Sequence, residues 1–281
     1  MPATTINDLT IHYELQGEPG HPPLLLICGL GRQLCEWPAA FIGGLTDAGL
    51  HVVLPDNRDA GLSSLMTPPA DANPEKPLYD LDHMADDLFG LMDHLDLPRA
   101  HVVGVSMGGA IAQHMALARP ERLLSLTLMM THTGDPQLPQ PTPAAMEVLL
   151  SGPPEVINRE TVTERAVKNS AALTGTGFAR DESAIRNRAA EAFERSYRPD
   201  GVKRQLAAIF ASGDRTARLP EIDLPTLVLH GEDDPLVPVE SGRQAADLIP
   251  GARLEVVPGW GHDMPDDVIP RLTESISRFV L

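Results

Sequence analysis

The sequence predicts an α/β fold in which a mostly parallel, eight-stranded sheet carries helices on both faces and is interrupted by a helical insertion. Three observations point there. Short apolar runs bounded by glycine or proline alternate with stretches of helical apolar spacing, the pattern of strands buried on both faces and joined by crossover helices. The alternation breaks from about Thr133 to Ala217, where no segment reads as a strand, and resumes at Thr226. The 281 residues exceed a typical domain but lie within reach of a single α/β unit. The expected division is a core of residues 1–132 and 218–281, with a helical cap or lid at 133–217.

The elements follow in order. Thr4 to Asn7 and Leu9 to Leu15 alternate apolar and polar residues around Asn7-Asp8, a strand–turn–strand pattern. Leu24 to Cys28 is a continuous apolar run between Pro22-Pro23 and Gly29-Leu30-Gly31, which suits a buried strand. Trp37 to Gly49 reads as a helix and His51 to Leu54 as the next strand, stopped by Pro55. Asp56 to Tyr79 holds Gly61, Pro68, Pro69, Pro74 and Pro77, so it reads as loop; loops of that length in compact domains are usually functional. Leu81, Met84, Leu88, Leu91, Met92 and Leu95 place an amphipathic helix over Asp80 to Leu97. His101 to Val105 is a strand, a helix of small residues begins after Ser106, and Leu123 to Met130 is a strand again. Within the insertion, helices are expected at Thr161–Leu173, Asp181–Tyr197 and Gly201–Ala211. Strands at Thr226–Leu229 and Arg253–Val257, with helices at Ser241–Ile249 and Val268–Val280, complete the chain.

Charge and composition exclude several functions. Acidic residues outnumber basic ones by 39 to 22, a formal net charge of −17, which repels phosphate backbones and anionic lipid heads. Neither a nucleic-acid nor a membrane partner is expected. The longest apolar runs, such as Leu123 to Met130, fall well short of the ~18 residues of a membrane helix. The N-terminal residues show no basic segment followed by an apolar one, as a secretory signal would. Cys28 and Cys35 match no common zinc spacing and read as free thiols in a reducing compartment. A cytoplasmic location is the expectation.

The chemistry-bearing motif is Gly104-Val105-Ser106-Met107-Gly108, a G-x-S-x-G match that directly follows a buried strand and opens a small-residue helix. A sharp strand-to-helix turn projects the serine hydroxyl above the sheet, and the helix N-terminus behind it favours a developing oxyanion. A serine hydroxyl needs a base. Among ten histidines, His262 stands out in Pro258-Gly259-Trp260-Gly261-His262, directly after the last predicted strand. The imidazole needs an acceptor to fix its tautomer, and Glu232, Asp233 and Asp234 all follow the preceding strand. Asp234 is preferred, because Pro235 holds it extended; Asp233 and Glu232 stay open as alternatives. Met107 would supply one oxyanion N–H. Gly29 lets the backbone approach a ligand, and His132 and Trp260, each beside a strand end, are the other expected substrate contacts. Cys28, at the end of a buried apolar strand, reads as a packed residue and not as a nucleophile.

The segments ICGLGRQLCEWP, LPDNRDAGLSS, HVVGVSMGG, VLHGEDDPLVP and VPGWGHDMP make the chain resemble the α/β-hydrolase superfamily over nearly its whole length. The resemblance implies the order Ser106, Asp234, His262 for a catalytic triad and the Leu30 N–H as the second oxyanion donor. Two departures occur: Cys28 stands before Gly29 where the family often has histidine, and Asp56-Asn57-Arg58-Asp59-Ala60-Gly61-Leu62-Ser63 replaces D-x-R-G-x-G-x-S. Within the family the chain is similar to aclacinomycin methylesterase-type enzymes and macrolide esterases. That similarity implies a cofactor-free and metal-free serine esterase opening the lactone of a bulky polyketide antibiotic, with cap residues such as Met146, Leu149, Phe178, Phe193 and Phe210 around the substrate. The same triad serves small-ester carboxylesterases and C–C bond hydrolases, and a non-catalytic small-molecule receptor can retain it. The serine nucleophile excludes a carboxylate-dependent haloalkane dehalogenase.

Overall fold

Asn7 and Asp8 adopt φ of 52° and 64°, the left-handed pair that a two-residue type I′ turn requires. They join β1 (Ala3–Ile6) to β2 (Leu9–Gln16) with Ile6 opposite Leu9. The computed structural model describes residues 2–68, 73 and 76–281, so Met1, and Pro69 and Pro74 of the proline-rich loop, lie outside the described residues.

Six further strands follow: β3 (Pro23–Ile27), β4 (His51–Pro55), β5 (Ala100–Val105), β6 (Leu123–Met129), β7 (Thr226–Gly231) and β8 (Arg253–Val257). All eight form one sheet in the order β1-β2-β4-β3-β5-β6-β7-β8, antiparallel at β1/β2 and β2/β4 and parallel from there on. The chain moves outward from β3 to β4, then crosses back to β5 and proceeds the other way. The order therefore reverses between β3 and β5, and the crevice outside the carboxyl ends of strands at such a switch point is where open α/β sheets bind ligands.

Strand side chains alternate between two cores. Leu24 and Leu26 pack with α1 (Ala39–Asp47) and α9 (Ile269–Val280) through Phe41, Leu45, Leu272 and Ile276. Leu25 and Ile27 face α2 (Leu81–His94), α3 (Met107–Ala118) and α8 (Val239–Leu248) through Leu88, Ile111 and Ala245. Full burial of each large apolar side chain contributes about 1.5–3 kcal/mol. The first helix begins later than its apolar content suggested. Pro38 stands at its N-cap, and Trp37 leaves the helix to stack on Phe41 at 5.4 Å within the core.

Between β6 and β7 lie α4 (Pro143–Leu150), α5 (Arg159–Ala171), α6 (Glu182–Arg195) and α7 (Pro199–Ser212), with no strand among the described residues. Three match the expected helices within a few residues. The fourth, α4, was hidden by its proline-rich approach, although Thr142 caps it and Pro143 occupies its first turn, both ordinary start signals. This segment is seated on the loops after β3 and β4 by buried polar contacts. Arg204 makes a two-pronged pair with Asp59 at 2.6 and 2.9 Å, and Arg195 reaches Asp56 at 2.7 Å. Gln205 accepts from the Gly31 N–H and donates to the Arg58 carbonyl, each at 2.7 Å. Where the chain re-enters the core, Arg215 donates to the carbonyls of His132 and Gly213 and to Gln113.

Candidate active site

Ser106 sits between β5 and α3 with φ 55° and ψ −119°, a conformation that side-chain-bearing residues adopt only when their surroundings enforce it. The surroundings do. The Ser106 N–H donates to the Met129 carbonyl at 2.9 Å, and its own carbonyl accepts from the Gly109 N–H and the Thr131 hydroxyl. The glycines of the motif make the turn possible: a Cβ on Gly104 would strike the Gly108 carbonyl, and one on Gly108 would strike the carbonyl of Ile27. Met107 is the first residue of α3, so its N–H has no intrahelical acceptor. The β3 loop lies alongside, since a Cβ on Gly29 would stand 3.4 Å from the Ser106 Cβ.

His262 brings its Nε2 to 3.1 Å from the Ser106 Oγ and its Nδ1 to 2.7 Å from Asp234 Oδ2. A carboxylate only accepts, so Nδ1 carries the proton and Nε2 is left to accept from the serine hydroxyl. Asp234 is almost wholly buried, and its Oδ1 accepts from the N–H groups of Leu236 and Val237 at 2.9 and 2.7 Å. Of the three acids after β7, only Asp234 bonds the imidazole among the described residues. Asp233, one residue earlier, points instead to Thr176 of the helical segment, accepting from its N–H and hydroxyl.

Two of the expected substrate contacts read differently in three dimensions. Trp260 is fully buried with 0% exposure, its indole N–H donating to the Asp263 carbonyl. The turn at Gly259, with φ 73°, sends the ring into the core that holds Leu24, Leu26 and Phe41 and not towards a ligand, which corrects its expected role in substrate binding. His132 accepts at Nδ1 from the Gly134 N–H at 2.7 Å, and its carbonyl accepts from Gln113 and Arg215. Burial and the nearby Arg215 cation hold its pKa below the usual imidazole range, so it is a neutral loop anchor here. Leu30 is half-buried beside Gly29. Among the aromatic residues of the helical segment, Phe210 is 66% exposed and Phe178 packs against the core that holds Leu24, Leu26 and Trp260.

Three features of the site had no sequence signal strong enough to find them. His230, at the end of β7, is fully buried; its Nε2 donates to the Val237 carbonyl at 2.8 Å and lies 3.7 Å from Asp234. Burial lowers its pKa, so it stands as a neutral neighbour behind the acid. Its position just before the acid loop was the only available hint. The stretch after α5 grips the histidine loop: Leu173 accepts from the His262 N–H at 2.7 Å, and the Gly177 N–H donates to Gly259 at 2.9 Å. Thr174 completes the grip by donating to Asp263 Oδ2 at 2.6 Å. Burial raises the pKa of Asp263, and its Oδ1 has no partner among the described residues.

Comparison with known proteins identifies the family. The family described as alpha/beta hydrolase fold matches residues 22–267. Rhodomycin D methylesterase DauP of Streptomyces sp. (strain C5) is 31% identical over 93% of this chain and 91% of its own length. A 2-hydroxy-6-oxononadienedioate/2-hydroxy-6-oxononatrienedioate hydrolase of Paraburkholderia phymatum is 30% identical over 91% of this chain and 85% of its own. The crystal structure of the enol-lactonase from Burkholderia xenovorans LB400 superposes with a TM-score of 0.77 at 23% identity, covering 99% of each chain. The chain belongs to the alpha/beta hydrolase fold family.

Proposed function

We propose that this hydrolase is a serine-dependent carboxylic-ester hydrolase that acts through an acyl-enzyme on a bulky polyketide ester, a methyl ester or a lactone. The observation that carries the reading is the continuous hydrogen-bonded chain Ser106–His262–Asp234 at the switch point of the sheet. Ser106 Oγ attacks the ester carbonyl while His262 Nε2 takes its proton, and buried Asp234 stabilises the imidazolium. The tetrahedral oxyanion is received by the N–H groups of Leu30 and Met107. Collapse expels the alcohol with a proton from His262, and water then repeats the sequence on the acyl-serine. None of these steps calls on a metal or an organic cofactor. The helical segment 133–217 acts as a cap over the carboxyl ends of the strands, and its size supports a large substrate. The Streptomyces relative, named for a methylesterase activity, supports ester cleavage.

A second reading has one observation in its favour. The substrate in the Paraburkholderia relative's name is a keto diacid with no ester, so hydrolysing it means breaking a C–C bond. One experiment separates the two. Purified protein and its Ser106→Ala variant are incubated with short p-nitrophenyl esters, a polyketide methyl ester, a 16-membered macrolide and a 2-hydroxy-6-oxo dienoate, and products are followed by mass spectrometry. Ser106-dependent loss of methanol or addition of one water to the lactone supports the proposal. Cleavage of the dienoate alone transfers the chain to the second reading, and unchanged turnover by Ser106→Ala overturns both.

A further inference from the structure

We propose that a cavity of about 300 Å³ between the helical segment and the loops after β3 and β4 seats a carboxylate carried on the distal end of the substrate. The inference rests on the esterase reading above and adds a substrate class to it. The walls are apolar, with Leu149 of α4, Phe193 of α6 and Val202 and Leu206 of α7. Gly31 also lines the cavity. It lies two residues beyond Gly29, a span of at most about 7 Å, and Gly29 stands against Ser106. In the proposal, a substrate whose carbonyl meets Ser106 extends its chain past the Gly29–Gly31 backbone to place its far end in this cavity.

Charge gives the cavity its selectivity. Four cationic side chains line it, Arg32, Arg165, Arg198 and Lys203, against one carboxylate, Glu36. Two of the cations are neutralised locally: Arg32 pairs with Glu36 at 2.6 Å and Lys203 with Asp200 at 3.1 Å. The other two have no carboxylate partner among the described residues. Arg165 donates only to the Ser151 hydroxyl at 2.5 Å, and Arg198 only to the Ser196 hydroxyl at 2.7 Å and the Gly61 carbonyl at 3.4 Å. A guanidinium carries five N–H donors, so most of each fork is uncommitted. In a chain with 39 acidic and 22 basic residues, two half-buried arginines left without an acid in one apolar-walled cavity are an unusual concentration of free positive charge. A planar oxyanion matches the guanidinium fork in charge and geometry, and the apolar walls suit a hydrocarbon chain leading to it. An ester bearing a remote carboxylate meets both demands.

The test compares mono-p-nitrophenyl suberate with p-nitrophenyl octanoate, equal in chain length and different in the terminal carboxylate. The ratio of their kcat/KM values is measured for the wild type, Arg165→Gln, Arg198→Gln and the double variant. Charge-assisted hydrogen bonds contribute about 1.5–3 kcal/mol, so each substitution is expected to lower the suberate-to-octanoate ratio about tenfold or more, with Arg165→Lys partly restoring it. An unchanged ratio in the double variant overturns the inference while Ser106-dependent octanoate cleavage leaves the esterase reading standing. Calorimetric titration of the dianion suberate into the same proteins reads the seat without turnover. A tenfold rise in Kd in the double variant supports it, and equal binding, or none by the wild type, overturns it.

Discussion

The two walls of the proposed active site are built in different ways. On the sheet side, every group of the triad stands on a short loop directly after a parallel strand: Ser106 after β5, Asp234 after β7 and His262 after β8. Their positions are set by ladder hydrogen bonds and by backbone contacts so close that only glycine fits at 104 and 108. On the helical side, α5 to α7 are held by side chains, through Arg204–Asp59, Arg195–Asp56 and Gln205, and by one backbone crossing at residues 173–177. The sheet side fixes the three proposed catalytic side chains to within a hydrogen bond of one another. The helical side is fastened at a few points, and each fastening is a place where the two walls can be uncoupled.

The largest expected effect lies on the sheet side and turns on one residue of offset. Asp234→Asn keeps the shape but loses the acceptor that selects the His262 tautomer, so kcat should fall about 10⁴-fold, as in other triads. Asp233→Asn touches only the contact with Thr176, and steady-state kinetics should show a change below about tenfold. Comparable losses from both would place the acid wrongly.

Next comes a fastening of the helical side. Arg204→Leu leaves Asp59, with 0% side-chain exposure, without its counter-charge, held only by the Tyr79 hydroxyl and the Met66 N–H. Breaking such a pair costs about 3–5 kcal/mol, read as a drop in the urea midpoint. Arg278→Leu, whose partner Glu274 is exposed on α9, should cost less than about 1 kcal/mol. Equal shifts would mean that the Arg204–Asp59 contact does not anchor α7.

A smaller effect tests the backbone crossing. Thr174→Val removes the donor to Asp263 beside His262, and losing one hydrogen bond of about 1–1.5 kcal/mol should lower kcat about tenfold with little change in KM. Thr174→Ser should restore it. A rise in KM alone would make Thr174 a substrate contact and not a positioning residue.

The smallest effect concerns pH and stability. Burial, with the nearby Asp234 charge, raises the pKa of Asp263 above its usual value, while Thr174 and His262 pull it back. A carboxyl with a raised folded-state pKa favours folding while protonated, so its contribution is complete below about pH 3.8 and is lost as pH climbs through the raised value. Asp263→Asn removes that loss. Its Tm should exceed that of the wild type at pH 7 and converge with it near pH 3, in paired thermal melts. A lower Tm at pH 7 would show that the ionised group is satisfied.

What the sequence disclosed divides along the same line as the two walls. The Asn7-Asp8 turn and the Ser106 elbow are local, each written in fewer than ten adjacent residues, and both were legible. His262 was legible because only one histidine follows the last strand within a glycine loop. Trp260 misled for a physical reason: glycines on either side permit an inward turn as readily as an outward one, and burial of an indole favours the inward. The choice between Asp233 and Asp234 could not be made firmly in one dimension, since a single residue reverses the direction of a side chain in an extended loop. The contacts of Thr174 with Asp263, 89 residues away, and of Arg204 with Asp59, 145 residues away, pair elements that no local pattern relates. The helix α4 was missed because a run of prolines reads as loop until one of them is seen to start a helix.

The most direct measurement is the intact mass of the protein during turnover of a slow p-nitrophenyl ester, followed by peptide mapping. The expected result is a burst of p-nitrophenol with one acyl group added to the peptide that contains Ser106, and neither burst nor adduct in Ser106→Ala. Turnover with no adduct on Ser106, or an adduct carried by Cys28 or another residue, would contradict an acyl-enzyme built on this triad.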